Sequence, residues 1–436
     1  MQNILTCDEA ELAAIHRGLK VRYSCLQALQ LNLNIARGVP SREQVALSDE
    51  LLSLPGATDF VSDDGVDVRN YMGQQGLREV RELFSASMEI DADNLVVDGN
   101  SSLALMYDCV SHAWRAGIEG HKPWHQVPGG IAFLCPVPGY DRHFAICEAF
   151  GIRLIPVPMS FDGPDIDFIR AAVATDESIK GMWCVPKYSN PTGATYSDSK
   201  IRALASMPTA AADFRLFWDN AYWLHHLTED ETQIANIVAL CKELGNENRP
   251  LVFGSTSKVT FAGAGLAMLG SSKENIQWWL RHASVRSVGP DKVNQLRHLR
   301  FLKNPEGLKA LMRRHREILA PRFSIVDQNF RRLFEGSGIA SWTLPKGGYF
   351  ITLNLTHGIA KRVVDLSKAA GVTLTPAGAP FPRGVDPADS VLRIAPSSPT
   401  VGEVGQAAEI VAVSALLAAA EQRVQRLAEA VSNLSR

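Results

Sequence analysis

The sequence predicts an α/β fold, with a large domain built on a mostly parallel sheet and a smaller α+β domain. Three observations predict it. The 436 residues suit two domains of ordinary size. Between residues 94 and 253 short apolar runs alternate with helical stretches, the pattern of β-α units whose sheet is covered on both faces. After about residue 310 the alternation stops, and charged helices and broken strands take over. The expected division is 65–310 for the large domain and 1–64 plus 311–436 for a composite small one.

Residues 8–31 have polar and apolar side chains at helical spacing and predict an opening helix. Residues 32–55, punctuated by Gly38, Pro40 and Pro55, read as irregular. Strands are expected at 94–97, 131–134 and 153–157, followed by helices near 103–114, 142–150 and 166–174. Runs at 181–185, 216–218 and 251–253 continue the series. Then come a charged helix at 312–334 and strands within 342–353 broken by Pro345-Lys346-Gly347-Gly348. A helix near 360–370, a strand at 391–394 and a helix from Val401 follow. In such sheets ligands gather beyond the carboxyl ends of strands, so functional residues are sought there.

Composition excludes several classes. Hydrophobic residues at 46% and charged ones at 21% are globular proportions. Lys+Arg 44 against Asp+Glu 46 gives a net charge of −2, without the basic excess a nucleic-acid partner needs. Seven cysteines, odd in number and never in a CxxC pair, argue against a disulfide framework or a metal site and for a reducing compartment. The first twenty residues carry Asp8, Glu9 and Glu11 and lack the apolar stretch of a signal peptide. The longest apolar run, 410–420, contains Ser414 and stops at Glu421, too short to span a bilayer. A cytoplasmic protein with neither nucleic acid nor membrane as partner is expected.

Six places after apolar runs can carry chemistry. Lys258 is the only charge between Leu251 and Gly270; partial desolvation would favour amine nucleophilicity and Schiff-base formation, whereas a surface lysine snorkelling to water is the plainer alternative. Ser255 and Ser257 flank it and offer hydroxyls to a phosphate. Asp219 ends the run 214–219, placed to pair with a cationic ring nitrogen or merely to cap the next segment, with Tyr222 three residues on. Asp98-Gly99-Asn100-Ser101-Ser102 opens a helix, so Ser101, Ser102 and backbone N–H groups suit either a phosphate cradle or ordinary capping. Asn190 precedes Pro191 and is driven into an extended or turn geometry; Tyr140 offers an aromatic face. Arg393, flanked by apolar strand residues, needs an anion: a bidentate carboxylate ligand or an internal Asp or Glu.

The order of these signals along the chain resembles the fold-type I pyridoxal-phosphate (PLP) aminotransferases. The similarity spans roughly residue 32 to the C-terminus. Segments 36–41, 68–73 and 287–298 narrow it to the aspartate aminotransferase-like subgroup with a MocR-like aminotransferase domain. The resemblance implies Lys258 as the Schiff-base lysine, Asp219 as partner of the pyridine nitrogen, and Tyr222 and Asn190 as hydrogen-bond partners of the ring's 3′-oxygen. It implies Tyr140 stacked on the ring and Ser101, Ser102, Ser255 and Ser257 on the phosphate. Arg393, with Gly38 nearby, would take the substrate α-carboxylate, and Tyr71 would reach the cofactor of the neighbouring subunit in a homodimer with shared active sites. Amino acid and 2-oxo acid substrates follow, with aspartate or another dicarboxylic amino acid first and 2-oxoglutarate as acceptor. For the distal carboxylate Arg37 is the first choice, and Arg286 and Lys292 are further candidates. No metal is expected.

One departure stands out. Where many family members carry a phosphate-pairing arginine eight residues after the lysine, this chain has Leu266; Arg297 is the candidate substitute. A PLP lyase or decarboxylase would share Lys258 and Asp219 without needing Arg393. A PLP-sensing transcription regulator would need a basic helix-turn-helix ahead of the catalytic-type region, which the short segment before Tyr71 and the net charge of −2 disfavour.

Overall fold

The computed structural model describes residues 3–71 and 73–434; Met72, within the 68–73 motif, lies outside the described residues. Helix α1 (Glu9–Gln27) starts on a reciprocal cap. The Asp8 carboxylate accepts from the Glu11 N–H at 2.8 Å, and the Glu11 carboxylate accepts from the Asp8 N–H at 3.0 Å.

Eight strands form the main sheet: β1 (Leu95–Val97), β2 (Ala132–Val137), β3 (Arg153–Ser160), β4 (Gly163–Pro164), β5 (Ile179–Cys184), β6 (Arg215–Asp219), β7 (Pro250–Ser255) and β8 (Ala267–Gly270). Their spatial order is β1-β8-β7-β6-β5-β2-β3-β4. The pairs from β7 through β6, β5 and β2 to β3 are parallel, as the alternating pattern predicts. Strand β8 pairs antiparallel with both β1 and β7, and β4 pairs antiparallel with β3. Every residue of β6 and β7 is buried, because helices cover both faces of the sheet. Successive side chains of a strand point to opposite faces, and two cores result. Trp183 and Phe217 pack on one face beneath α2 (Ser102–Ala116) and α3 (Asp141–Ala149); Met182 and Trp218 pack on the other.

Beyond residue 304 the chain forms α4 (Pro305–Phe334), the antiparallel strands β9 (Ala340–Trp342), β10 (Ile351–Leu355) and β11 (Val391–Ile394), and α5 (Val401–Leu434). Asn304 caps α4 by accepting from the Gly307 N–H at 2.9 Å, with Pro305 at the first helical position. A third core unites both chain ends: Leu12 and Leu19 of α1 pack with Phe330, Leu353, Val411 and Leu416. Leu33 and Asn34 pair in parallel with Val372 and Thr373, tying the N-terminal segment to the same layer. Among the described residues α5 is the one helix long and apolar enough to cross a membrane. Its apolar stretch, 410–420, is buried in this core.

The two layers meet at Gly347. The Leu227 N–H donates to the Lys346 carbonyl at 2.8 Å, the Gly348 N–H donates to the His225 carbonyl at 2.8 Å, and a Cβ on Gly347 would lie 2.1 Å from the Tyr188 ring. Only glycine passes there, and the next residues, Tyr349 and Phe350, face the site described below. Gly347→Ala is expected to cost about 1–3 kcal/mol, the usual range for overpacking. Chemical unfolding of the two proteins measures it, and equal midpoints would mean that the ring retreats freely.

Candidate active site

At the carboxyl ends of the parallel strands lies a cavity of about 350 Å³. Its walls bring together Arg37, Gly38, Ser101, Ser102, Tyr140, Asn190, Asp219, Tyr222, Ser255, Ser257, Lys258 and Arg393. These residues span the sequence from the N-terminal segment to β11. Tyr71 is elsewhere, 75% exposed on the surface, and three predicted cations, Arg286, Lys292 and Arg297, do not line the cavity either.

Asp219 ends β6 and is buried. Its Oδ2 is 3.0 Å from His143 Nε2, while Oδ1 is buried without a hydrogen-bond partner among the described residues. His143 lies in the first turn of α3, stacked on Trp183 with centroids 4.4 Å apart and planes 10° apart. Tyr140, just before α3, packs edge-on against His143 at 4.9 Å. Burial pushes its phenol up to about 12, helped by the Asp219 charge, so the hydroxyl keeps its proton at neutral pH.

Lys258 sits in the turn directly after β7. Its amine is 5.1 Å from the Tyr222 ring centroid and 5.8 Å from that of Tyr349. Burial lowers its pKa, and the Asp219 charge opposes the shift in part. Burial likewise raises the Tyr222 phenol well above its ordinary value. Tyr349 is itself held by Gln44, whose side-chain amide donates to the Tyr349 hydroxyl at 2.9 Å.

The opposite end of the cavity is rich in hydroxyls. Gly99, at φ +66°, turns the chain into α2, and Ser101 caps that helix. The Ser255 hydroxyl donates to Ser257 at 3.1 Å, and Ser257 donates to the Asn100 carbonyl at 3.4 Å. Leu266 is buried and gives this end no charge. Arg297 gives none either, because its Nε donates to the Leu54 carbonyl at 2.8 Å, outside the cavity.

Arg393 lies in β11, nearly buried. Its Nη1 donates to Asp141 Oδ1 at 3.0 Å and to Asn190 Oδ1 at 3.4 Å, and its Cζ is 5.1 Å from the Phe350 ring centroid. With Oδ1 accepting, the Asn190 amide nitrogen remains as the donor. Gly38 fits tightly nearby: a Cβ there would meet the Phe350 ring at 2.7 Å. Arg37 and Arg142 add two further cations to the cavity wall. The other two candidates for a second cation fall away. Arg286 pairs with Asp98 and Asp108, and Lys292 donates to the Asn70 carbonyl at 2.7 Å; neither lines the cavity.

The sequence reading missed His143, Asp141, Arg142, Tyr349 and Phe350. A signal existed for the first: a histidine three residues after Tyr140 falls on the first turn of the helix that follows β2. The donor set fits PLP. It offers a lysine amine, a buried carboxylate in the cavity wall with one oxygen lacking a partner among the described residues, a tyrosine hydroxyl and an amide, and hydroxyls at a helix N-terminus for a phosphate.

Comparisons with known proteins agree. A family model described as aspartate amino-transferase matches residues 7–427. A protein of Mycolicibacterium smegmatis is 51% identical over 414 residues, covering 94% of this chain and 96% of its own. An aspartate aminotransferase of Corynebacterium glutamicum is 43% identical over 415 residues, covering 95% and 96%. The crystal structure of an aspartate transaminase from that organism superposes with a TM-score of 0.94 at 42% identity, covering 96% of this chain and 99% of the other.

Proposed function

The chain belongs to the aspartate aminotransferase family, and on that premise we propose that it moves the amino group between L-aspartate, or another dicarboxylic amino acid, and a 2-oxo acid such as 2-oxoglutarate. It is a PLP-dependent aminotransferase of fold type I. Bound PLP supplies an electron sink for the substrate's Cα–H bond. The remaining work falls to side chains. Lys258 Nζ, whose neutral form burial favours, takes the Cα proton and returns it. The Asp219 carboxylate keeps the ring nitrogen protonated, with His143 fixing its orientation. Tyr222 and the Asn190 amide donate to the ring's 3′-oxygen, Tyr140 covers the ring, and Ser101, Ser102, Ser255 and Ser257 hold the phosphate. Arg393 takes the α-carboxylate beside Gly38. Arg37 takes the distal carboxylate, and Arg142 joins it on the cavity wall.

The observation that carries this reading is that buried Asp219, with Oδ1 unpartnered among the described residues, lines the same cavity as Lys258 and Arg393. An absorbance titration tests it. L-aspartate and L-glutamate are expected to convert the bound cofactor to its aminated form at lower concentration than aromatic amino acids. A lyase or decarboxylase would leave no aminated cofactor. Arg393→Lys is expected to raise KM for donor and acceptor alike by about 10²-fold, because lysine cannot make the paired bonds of a guanidinium; steady-state kinetics with unchanged KM would remove Arg393 from this role.

The wider architecture is read the same way. Residues 65–310 form the cofactor domain, and 1–64 with 311–436 form the small domain, which the core shared by α1, α4 and α5 supports. The enzyme acts as a cytoplasmic homodimer in which exposed Tyr71 reaches the partner's cofactor phosphate. The resemblance of segments 36–41, 68–73 and 287–298 supports a MocR-like subgroup. In the last of these, Asn294 donates to the Gly265 carbonyl at 2.9 Å, bracing the loop after Lys258, and Gln295 donates to the Val97 carbonyl at 2.9 Å, bracing the end of β1.

A further inference from the structure

Arg393 already has a carboxylate. Its guanidinium carries five N–H donors. The two of Nη1 go to Asp141 Oδ1 at 3.0 Å and Asn190 Oδ1 at 3.4 Å. Nε and one hydrogen of Nη2 go to Thr375 Oγ1, each at 3.4 Å. Thr375 spends its own hydrogen on the Ala36 carbonyl at 2.5 Å, so it can only accept from the arginine. One N–H is left, and a substrate carboxylate needs two for the paired geometry that arginine offers. Something must let go.

The side chain with room to leave is Asp141. Its side chain is 36% exposed, against 6% for Arg393, and it stands in the first turn of α3, lining the cavity. Once released it is not stranded, because water and the positive end of α3 both stabilise a carboxylate there. Arg393 has no such exit: β11, the Phe350 ring and Thr375 hold it in place.

We propose that Asp141 is a resident stand-in for the substrate's α-carboxylate, holding Arg393 in the empty site and swinging off as substrate enters. The pair keeps a nearly buried guanidinium from standing uncompensated between turnovers, a condition that costs several kcal/mol when a partner is removed. The consequence is that every substrate binds against an internal competitor. Since donors and acceptors share the α-carboxylate, the competition lowers affinity for all of them by one common factor. Asp141 thus acts through Arg393 and leaves the choice of side chain alone. The proposal rests on Arg393 as the α-carboxylate site.

The experiment uses the holoenzyme and propionate, a monocarboxylate without an amine or a distal charge, as a competitive probe. Asp141→Asn is expected to bind propionate about tenfold more tightly and to lower KM for aspartate, glutamate and the oxo-acid acceptors by the same factor. Asp141→Glu, which keeps the charge, is expected to stay near wild type. The cofactor's absorbance reports that each variant is folded and loaded. An Asp141→Asn enzyme whose KM rises or stays put overturns the proposal, as does a factor that differs from substrate to substrate. Arg393→Lys separates the two ideas. If it leaves propionate affinity unchanged, the reading of Arg393 fails and the stand-in with it. If it weakens propionate while Asp141→Asn fails to tighten it, the stand-in alone is refuted.

Discussion

Lys258→Ala is expected to lower kcat by at least about 10⁴-fold, the upper range for loss of a positioned proton carrier, and to abolish the visible absorbance of the lysine–cofactor linkage. Lys258→Arg is expected to be as inactive. A guanidinium keeps the charge but never presents a free amine. Retention of more than a few per cent of activity by the arginine variant would make Lys258 an anchor for the phosphate and nothing more. Burial between Tyr222 and Tyr349 also gives the lysine a stability signature in the cofactor-free protein. Its pKa when folded lies below the ordinary 10.5. At pH below the lowered value both states are protonated, and the folded state bears the whole desolvation cost. As pH rises toward 10.5 the folded protein releases the proton while the unfolded chain keeps it, and the cost fades. Cofactor-free Lys258→Met should therefore unfold at a higher temperature than wild type near pH 7, with the gap closing as pH rises. A gap that widens would contradict the direction of the shift.

Most of the residues that sequence reading located share a property: they end or follow an apolar run, and the run itself is visible, whereas Arg393 lies within a strand and Arg37 and Gly38 in an irregular stretch. Asp219 ends β6 and Lys258 follows β7, so their convergence is a consequence of parallel strands and needs no contact to be known in advance. What stayed hidden depends on pairing across the chain. His143 reaches Asp219 from 76 residues away, and Asp141 reaches Arg393 from 252 residues away. The same distance explains the two misplaced cations. Arg286 looks unpaired in sequence, yet Asp98, 188 residues earlier, claims it; Lys292 is claimed by the Asn70 carbonyl, 222 residues earlier. Strand β8 was hidden for another reason. It is four residues long, fully buried, and follows the Gly263-Ala264-Gly265 turn, so neither alternation nor length sets it apart from the glycine-rich loop before it. It runs antiparallel, which is why the parallel β-α rhythm did not announce it.

Asp219→Asn separates charge from shape. The substitution keeps the size of the side chain, and Lys258 is untouched, so cofactor is expected to remain bound and the visible absorbance to persist. Turnover is expected to fall about 10³-fold. An adjacent carboxylate raises the pKa of a cationic partner by up to about three units when water is excluded, and three units correspond to about 4 kcal/mol, or about 10³ in rate if that protonation is needed in the transition state. Water is excluded here: Asp219 is 3% exposed, and Trp183 backs the His143 ring that holds its Oδ2. His143→Ala provides the contrast. It removes the hydrogen bond but leaves the charge facing the cavity, so a loss of about tenfold is expected, the scale of one hydrogen bond to a charged group. The ordering of the two variants is the informative result. If Asp219→Asn retained a tenth or more of the wild-type rate with its cofactor in place, the carboxylate would be a cap at the end of β6, and the ring nitrogen would not need its proton. If His143→Ala proved the worse of the two, catalysis would depend on the orientation that the histidine gives Asp219 more than on the charge itself.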